Sequence, residues 1–178
     1  MVKKKGNRVI KNIALIGIMA ALIECAKLAL AAFPNIEAVS LLISLFSYVF
    51  GWVGVVSALI FVCIEPAVWG MGIWFVSYLI YWPLLAMLFM LLGKVNIKNR
   101  FILSASVVGM TFLFGILTSL VDVGLFSGSF DRFFYRFGIY YARGAGFYAM
   151  HIISNALVFL FAFKPLSSVL RKIKLRLF

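Results

Sequence analysis

His151 and Asn155 stand four residues apart, and Tyr148 precedes the histidine by three. On a helix this spacing puts an imidazole, a phenol and a carboxamide on one face. Such a seam suits hydrogen bonding to a small molecule. It does not suit a metal, because His151 is the only histidine and no Cys/His cluster accompanies it. A second group is Glu65, Trp69 and Trp74 around the turn Pro66-Ala67-Val68-Trp69-Gly70-Met71-Gly72, followed by Tyr78, Tyr81 and Trp82. Aromatic rings at helix ends ordinarily form an interfacial belt. Here they are denser than a belt requires and have acidic neighbours, which suits stacking of a planar or partly apolar ligand. Glu24 and Lys27 are three apart, so they either pair with each other or line a polar cavity wall. Asp122 either lines the same cavity or pairs with Arg143. No nucleophile–base–orienter set, Walker motif or dinucleotide fingerprint is present, so any transport must draw its energy from elsewhere.

The elements that position these residues are membrane spans. Of the 178 residues, 65% are hydrophobic and only 12% are charged. A soluble domain of this size cannot bury such an excess, whereas lipid accommodates it. The +12 net charge does not indicate nucleic acid, because the basic residues sit at the ends of apolar runs rather than on one polar face. Cys25 and Cys63 lie inside apolar segments and read as small buried hydrophobes. The first apolar run is longer than a signal-peptide core and is kept as a span. Spans are expected at about 12–33, 36–50, 52–65, 73–92, 101–126 and 144–163. Gly51-Trp52-Val53-Gly54 breaks the second apolar stretch into two, Pro83 is placed to kink the fourth span, and the sixth ends before Pro165. The tail at about 166–178 alternates apolar and basic residues as an amphipathic helix lying on the inner leaflet.

The basic residues test this division. Lys3, Lys4, Lys5, Arg8 and Lys11 precede the first span, Lys94, Lys98 and Arg100 follow the fourth, and Lys164, Arg171, Lys172, Lys174 and Arg176 follow the sixth. The positive-inside rule puts all three clusters on one side only if an even number of spans separates each pair. Six spans satisfy this and five do not. The expected fold is therefore an all-α integral membrane bundle of six transmembrane helices forming a single domain, with both termini cytoplasmic. Residues 34–37, 65–72 and 127–143 then face outward. Gly17-x-x-x-Ala21 on the first span is either a tight internal packing motif or a docking face for a partner membrane protein.

On these features the sequence resembles the substrate-binding S components of energy-coupling factor (ECF) transporters. The likeness covers about residues 8–171 and rests on several pieces. They are the helix count, the early small-residue motif, Phe33-Pro34-Asn35-Ile36-Glu37 with Phe50-Gly51-Trp52, Trp69-Gly70-Met71-Gly72-Ile73-Trp74 with Tyr78 and Trp82-Pro83, and His151-x-x-x-Asn155 with Phe163-Lys164-Pro165-Leu166. The resemblance implies a multi-pass protein of a bacterial cell membrane that binds a vitamin-like micronutrient from outside. It would then dock on a membrane coupling subunit carrying two cytoplasmic ATPases. It implies no catalytic residue, cofactor or metal in this chain. It places Gly17 and Ala21 at the coupling subunit, although the family more often has alanine at both positions. Ligand contacts are implied for Asn35, Glu37, Trp69, Trp74, His151 and Asn155, beside the Glu65, Tyr78, Asp122 and Tyr148 picked out above. A cobalamin-type ligand is favoured, with pyridoxine, a thiamine precursor and queuosine-like bases open. The rival readings are a membrane enzyme acting on lipid or an isoprenoid, with His151 and Asp122 as its acid–base pair, and an assembly protein that binds no small molecule.

Overall fold

The computed structural model describes residues 2–33, 36–126 and 131–178. The described residues are helical throughout, with no strand. The order is α1 (Val2–Leu30), α2 (Val39–Phe50), α3 (Trp52–Trp69), α4 (Trp74–Lys94), α5 (Arg100–Phe126) and α6 (Phe133–Val158); α6 then runs through a π-helical turn, Phe159–Phe163, into α7 (Lys164–Leu177). Five helices are long and apolar enough to cross a membrane: those containing α1, α3, α4, α5 and α6.

The exception, α2, has 12 residues and is about 18 Å long, short of a roughly 30 Å hydrocarbon core. All but Leu42 of its residues are buried, so it forms the centre of the bundle and is wrapped by its neighbours. Two glycines allow this close wrapping. A Cβ on Gly54 of α3 would run into the backbone of Phe46 and Ser47, and one on Gly93 of α4 into the backbone of Tyr48. The turn between α2 and α3 is the single residue Gly51, at φ +65° and ψ −128°, a conformation that suits glycine.

Towards the ends of α4 and α6 the core is aromatic. Phe89, Phe159 and Phe163 are fully buried with ring centroids 5.1–5.6 Å apart, and the edge of Tyr48 meets Phe163 at 5.3 Å. The helices gather their connections at two ends of the bundle. One end carries Lys27, Glu37 and Trp74; the other carries the α2–α3 turn, the α4–α5 loop and α7.

Several boundaries differ from the sequence expectation, each for a physical reason. The first helix begins at Val2, not near residue 12, since lysine and arginine are good helix formers even where they are too polar for lipid. Pro66 lies within α3, in a helix that extends to Trp69. The sixth helix starts at Phe133, inside the segment expected as an outer loop; Arg136 and Arg143 lower its hydropathy without breaking the helix. Pro165 does not end that helix. The π turn just before it loosens the regular ladder where the proline has no N–H to give, and the chain continues as α7. Cys25 and Cys63 are exposed on the bundle surface rather than buried, because they lie on the outward sides of α1 and α3.

Candidate functional site

At the carboxylate-bearing end, a cavity of about 300 Å³ opens between α1, α2, α4, α5 and α6. Its aromatic wall comes mainly from α4. Trp74, Tyr78 and Trp82 recur every four residues, so their rings stack up one face, with Trp74–Tyr78 and Tyr78–Trp82 centroids 5.0 and 5.5 Å apart. Tyr81 meets Phe114 of α5 at 4.7 Å, and Phe147 and His151 of α6 close the opposite side. The polar lining is Lys27, Glu37, Ser40, Thr111 and His151.

Two charge clusters sit on this lining. In the first, the Lys27 ammonium pairs with the fully buried Glu65 carboxylate of α3. The same ammonium lies 5.0 Å from the Trp69 ring and 5.2 Å from that of Tyr78, within cation–π reach. The indole N–H of Trp69 donates to Glu24 Oε1 at 3.2 Å. A buried ion needs such compensation, and α1 and α3 supply it across their interface. In the second cluster, Glu37 accepts the backbone N–H of Ser40 at 2.7 Å, in the first turn of α2. Its other oxygen, Oε1, faces His151 Nε2 at 3.7 Å. Burial alone would raise the Glu37 carboxyl, but the nearby imidazole of His151, with the hydrogen bond from Ser40, more than offsets it. The group is held below its ordinary value of 4.5.

Several polar atoms here are buried without a hydrogen-bond partner: Glu37 Oε1, His151 Nδ1, Trp82 Nε1, Asn155 Oδ1, Glu24 Oε2 and Glu65 Oε1. Orphaned groups of this kind are costly and rare in a finished core, and three of them, on Glu37, Trp82 and His151, belong to the cavity lining, which makes it a place for a polar ligand.

The expected site residues divide into three sets. Glu37, Trp74, Tyr78 and His151 line the cavity. Glu65 and Trp69 stand behind it, holding Lys27. Asn155 is fully buried one turn below His151, where its amide donates to Thr111 Oγ1 at 3.1 Å and reaches Ser40 Oγ at 3.5 Å. The other two residues are not brought to the cavity. Tyr148 is clasped between α5 and α6: its hydroxyl lies 3.2 Å from Thr118 Oγ1, and its ring fills the space left by Gly115 and Gly144. Asp122, near the end of α5, does not line the cavity and makes no ion pair with Arg143 among the described residues. Asn35 lies outside the described residues.

Lys27 reaches Glu65 on another helix rather than its local neighbour Glu24. Thr111, Phe114, Phe147 and Ser40 were not anticipated. The only sequence trace of Ser40 and Thr111 is a hydroxyl within an apolar run. Gly17 and Ala21 face outward on α1, and a Cβ on Gly17 would meet nothing within 4 Å, so neither packs inside this chain.

No family model matches the chain, and no curated protein or solved structure matches it.

Proposed function

We propose that this protein is the ligand-binding membrane subunit of an ECF-type importer in a bacterial cell membrane. It takes up a small ring-containing micronutrient at the aromatic cavity and is coupled to ATP hydrolysis in partner subunits. The observation that carries this reading is the cavity itself, where a column of edge-to-face aromatic rings lies beside the unpartnered Glu37 Oε1 and His151 Nδ1. Flat apolar walls with a few convergent polar atoms are what a heterocycle with hydrogen-bonding edges needs. The volume, about 300 Å³, favours a ligand the size of pyridoxine or a thiamine precursor over a corrinoid, which is several times larger.

In this reading the chain crosses the membrane six times with both termini in the cytoplasm. The short α2 counts as a crossing because its first turn carries the Glu37–Ser40 contact and its last turn meets α7, where Lys174 Nζ donates to Val49 O at 2.5 Å. Its ends sit in protein rather than lipid, so it need not match the bilayer thickness.

The outward-facing Gly17 and Ala21 support a docking role for α1, since small residues let a partner helix approach closely. The substitution Gly17→Leu separates binding from coupling. Calorimetry on the purified variant should show ligand affinity within about twofold of wild type, while cells carrying it lose uptake almost completely. Uptake at the wild-type rate would sink the docking assignment.

A further inference from the structure

The opposite end of the bundle holds a second pocket, of about 230 Å³, that the importer reading does not use. It lies where the end of α2, the α4–α5 loop, the start of α5 and α7 meet, and is lined by Tyr48, Lys98, Lys164, Ser167, Ser168 and Arg171. Three cations and three hydroxyls thus surround one space with no acidic side chain in its lining. The chain has no Asp or Glu between positions 66 and 121 or beyond 131, so this end is built without carboxylates.

The pocket is also organised. Helix α4 ends in a Schellman turn: Ile97 N–H bonds to Leu92 O and Asn96 N–H to Gly93 O, with Asn96 in the left-handed region at φ +60°. That turn fixes the Asn96 side chain, whose Oδ1 accepts from both terminal nitrogens of Arg171 at 3.4 and 3.5 Å. The guanidinium lies 5.1 Å from the Tyr48 ring centroid, and the Tyr48 hydroxyl is held by Ile97 O at 2.7 Å. Arg171 is therefore positioned from two sides while several of its five N–H donors remain uncommitted. Asn99 Oδ1 caps the first turn of α5 by accepting Phe101 N–H at 2.9 Å. Leu103 of that turn borders the pocket, which places the start of α5 beside it.

We propose that this pocket binds a phosphoryl anion, with the guanidinium of Arg171 and the ammonium groups of Lys98 and Lys164 as its ligands. A planar guanidinium with free donors, beside point-charge ammoniums and hydroxyls, is the donor set that recognises phosphate oxygens. Basic pockets between helices at a membrane face take anionic lipid headgroups, and a soluble phosphate presents the same oxygens.

The test uses the full chain in detergent micelles and reads its thermal unfolding midpoint. The probes are phosphatidylglycerol, phosphatidylcholine with the same acyl chains, and inorganic phosphate against chloride at equal ionic strength. Two double variants remove equal charge, Lys98→Gln/Arg171→Gln in the pocket and Lys172→Gln/Arg176→Gln outside it. Phosphatidylglycerol or phosphate should stabilise the wild type and the outside variant alike. The pocket variant should need about tenfold more of the same probe. Protection by phosphatidylglycerol but not phosphate assigns the anion to lipid; protection by phosphate assigns it to a soluble ester or ion; either supports the pocket. Equal weakening in both double variants, no weakening in either, or equal protection by the two lipids with none from phosphate overturns it. If the pocket variant does not fold, Ser168→Asp puts a carboxylate at an exposed lining position and should weaken the same probe. Unchanged affinity there likewise overturns the proposal.

Discussion

At the cavity end of the bundle, Lys27 is matched by Glu65, and Glu37 faces His151; at the other end, Lys98, Lys164 and Arg171 line a pocket that contains no carboxylate. The first arrangement balances charge within the protein, where burial and aromatic rings leave little water to do so. The second leaves charge for something outside the chain. A buried ion that has its counter-ion is structural, and a positioned cation without one is available for binding. The same contrast explains why carboxylates occur around the cavity and are missing at the basic end.

The largest expected effect breaks the internal match. Glu65→Gln strands the Lys27 ammonium among rings, and should lower stability by about 3 kcal/mol in thermal unfolding of solubilised protein. The double variant Lys27→Met/Glu65→Leu should recover most of that loss, because the charge is gone as well. Arg171→Gln at the basic end should cost less than about 1 kcal/mol, as expected for a cation with no ion-pair partner. Equal losses at the two ends would erase the contrast.

Next in size is the cavity's own chemistry. His151→Ala removes one of its polar groups and frees Glu37, and should weaken ligand binding about tenfold, or roughly 1.4 kcal/mol, by calorimetry. If affinity survived while a turnover was lost, the cavity would be catalytic instead.

The smallest effect is titration. The depressed Glu37 carboxyl contributes stability that is fully present above its ordinary value of 4.5 and is lost as pH falls through its lower folded value. On acidification below about 4.5, the unfolding midpoint of wild type should therefore fall faster than that of Glu37→Gln. Parallel curves would mean that Glu37 is not held by His151 and Ser40.

Much of this architecture is written in local sequence. Apolar length marks the spans, and Gly51 marks the break between α2 and α3, because a single-residue turn at positive φ favours glycine. The aromatic wall is visible as Trp74, Tyr78 and Trp82 at four-residue spacing. Pairings between helices are not visible in this way. Spacing offered Glu24 as the partner of Lys27, but the partner is Glu65, thirty-eight residues away on a helix whose rotation depends on how Gly54 packs against α2. Tyr148 shares a helix with His151, yet Gly115 and Gly144 make room for its ring between α5 and α6 and away from the cavity. Likewise Pro165 reads as a stop unless the π turn before it is known.

The central claim is that the aromatic cavity holds a small ring-containing ligand. Mass spectrometry of compounds released from the purified, detergent-solubilised protein tests it most directly. Wild-type protein should release one heterocyclic compound near one-to-one stoichiometry, and Trp74→Ala markedly less of it. Release of lipids alone, or of the same compound in equal amount from Trp74→Ala, would contradict it.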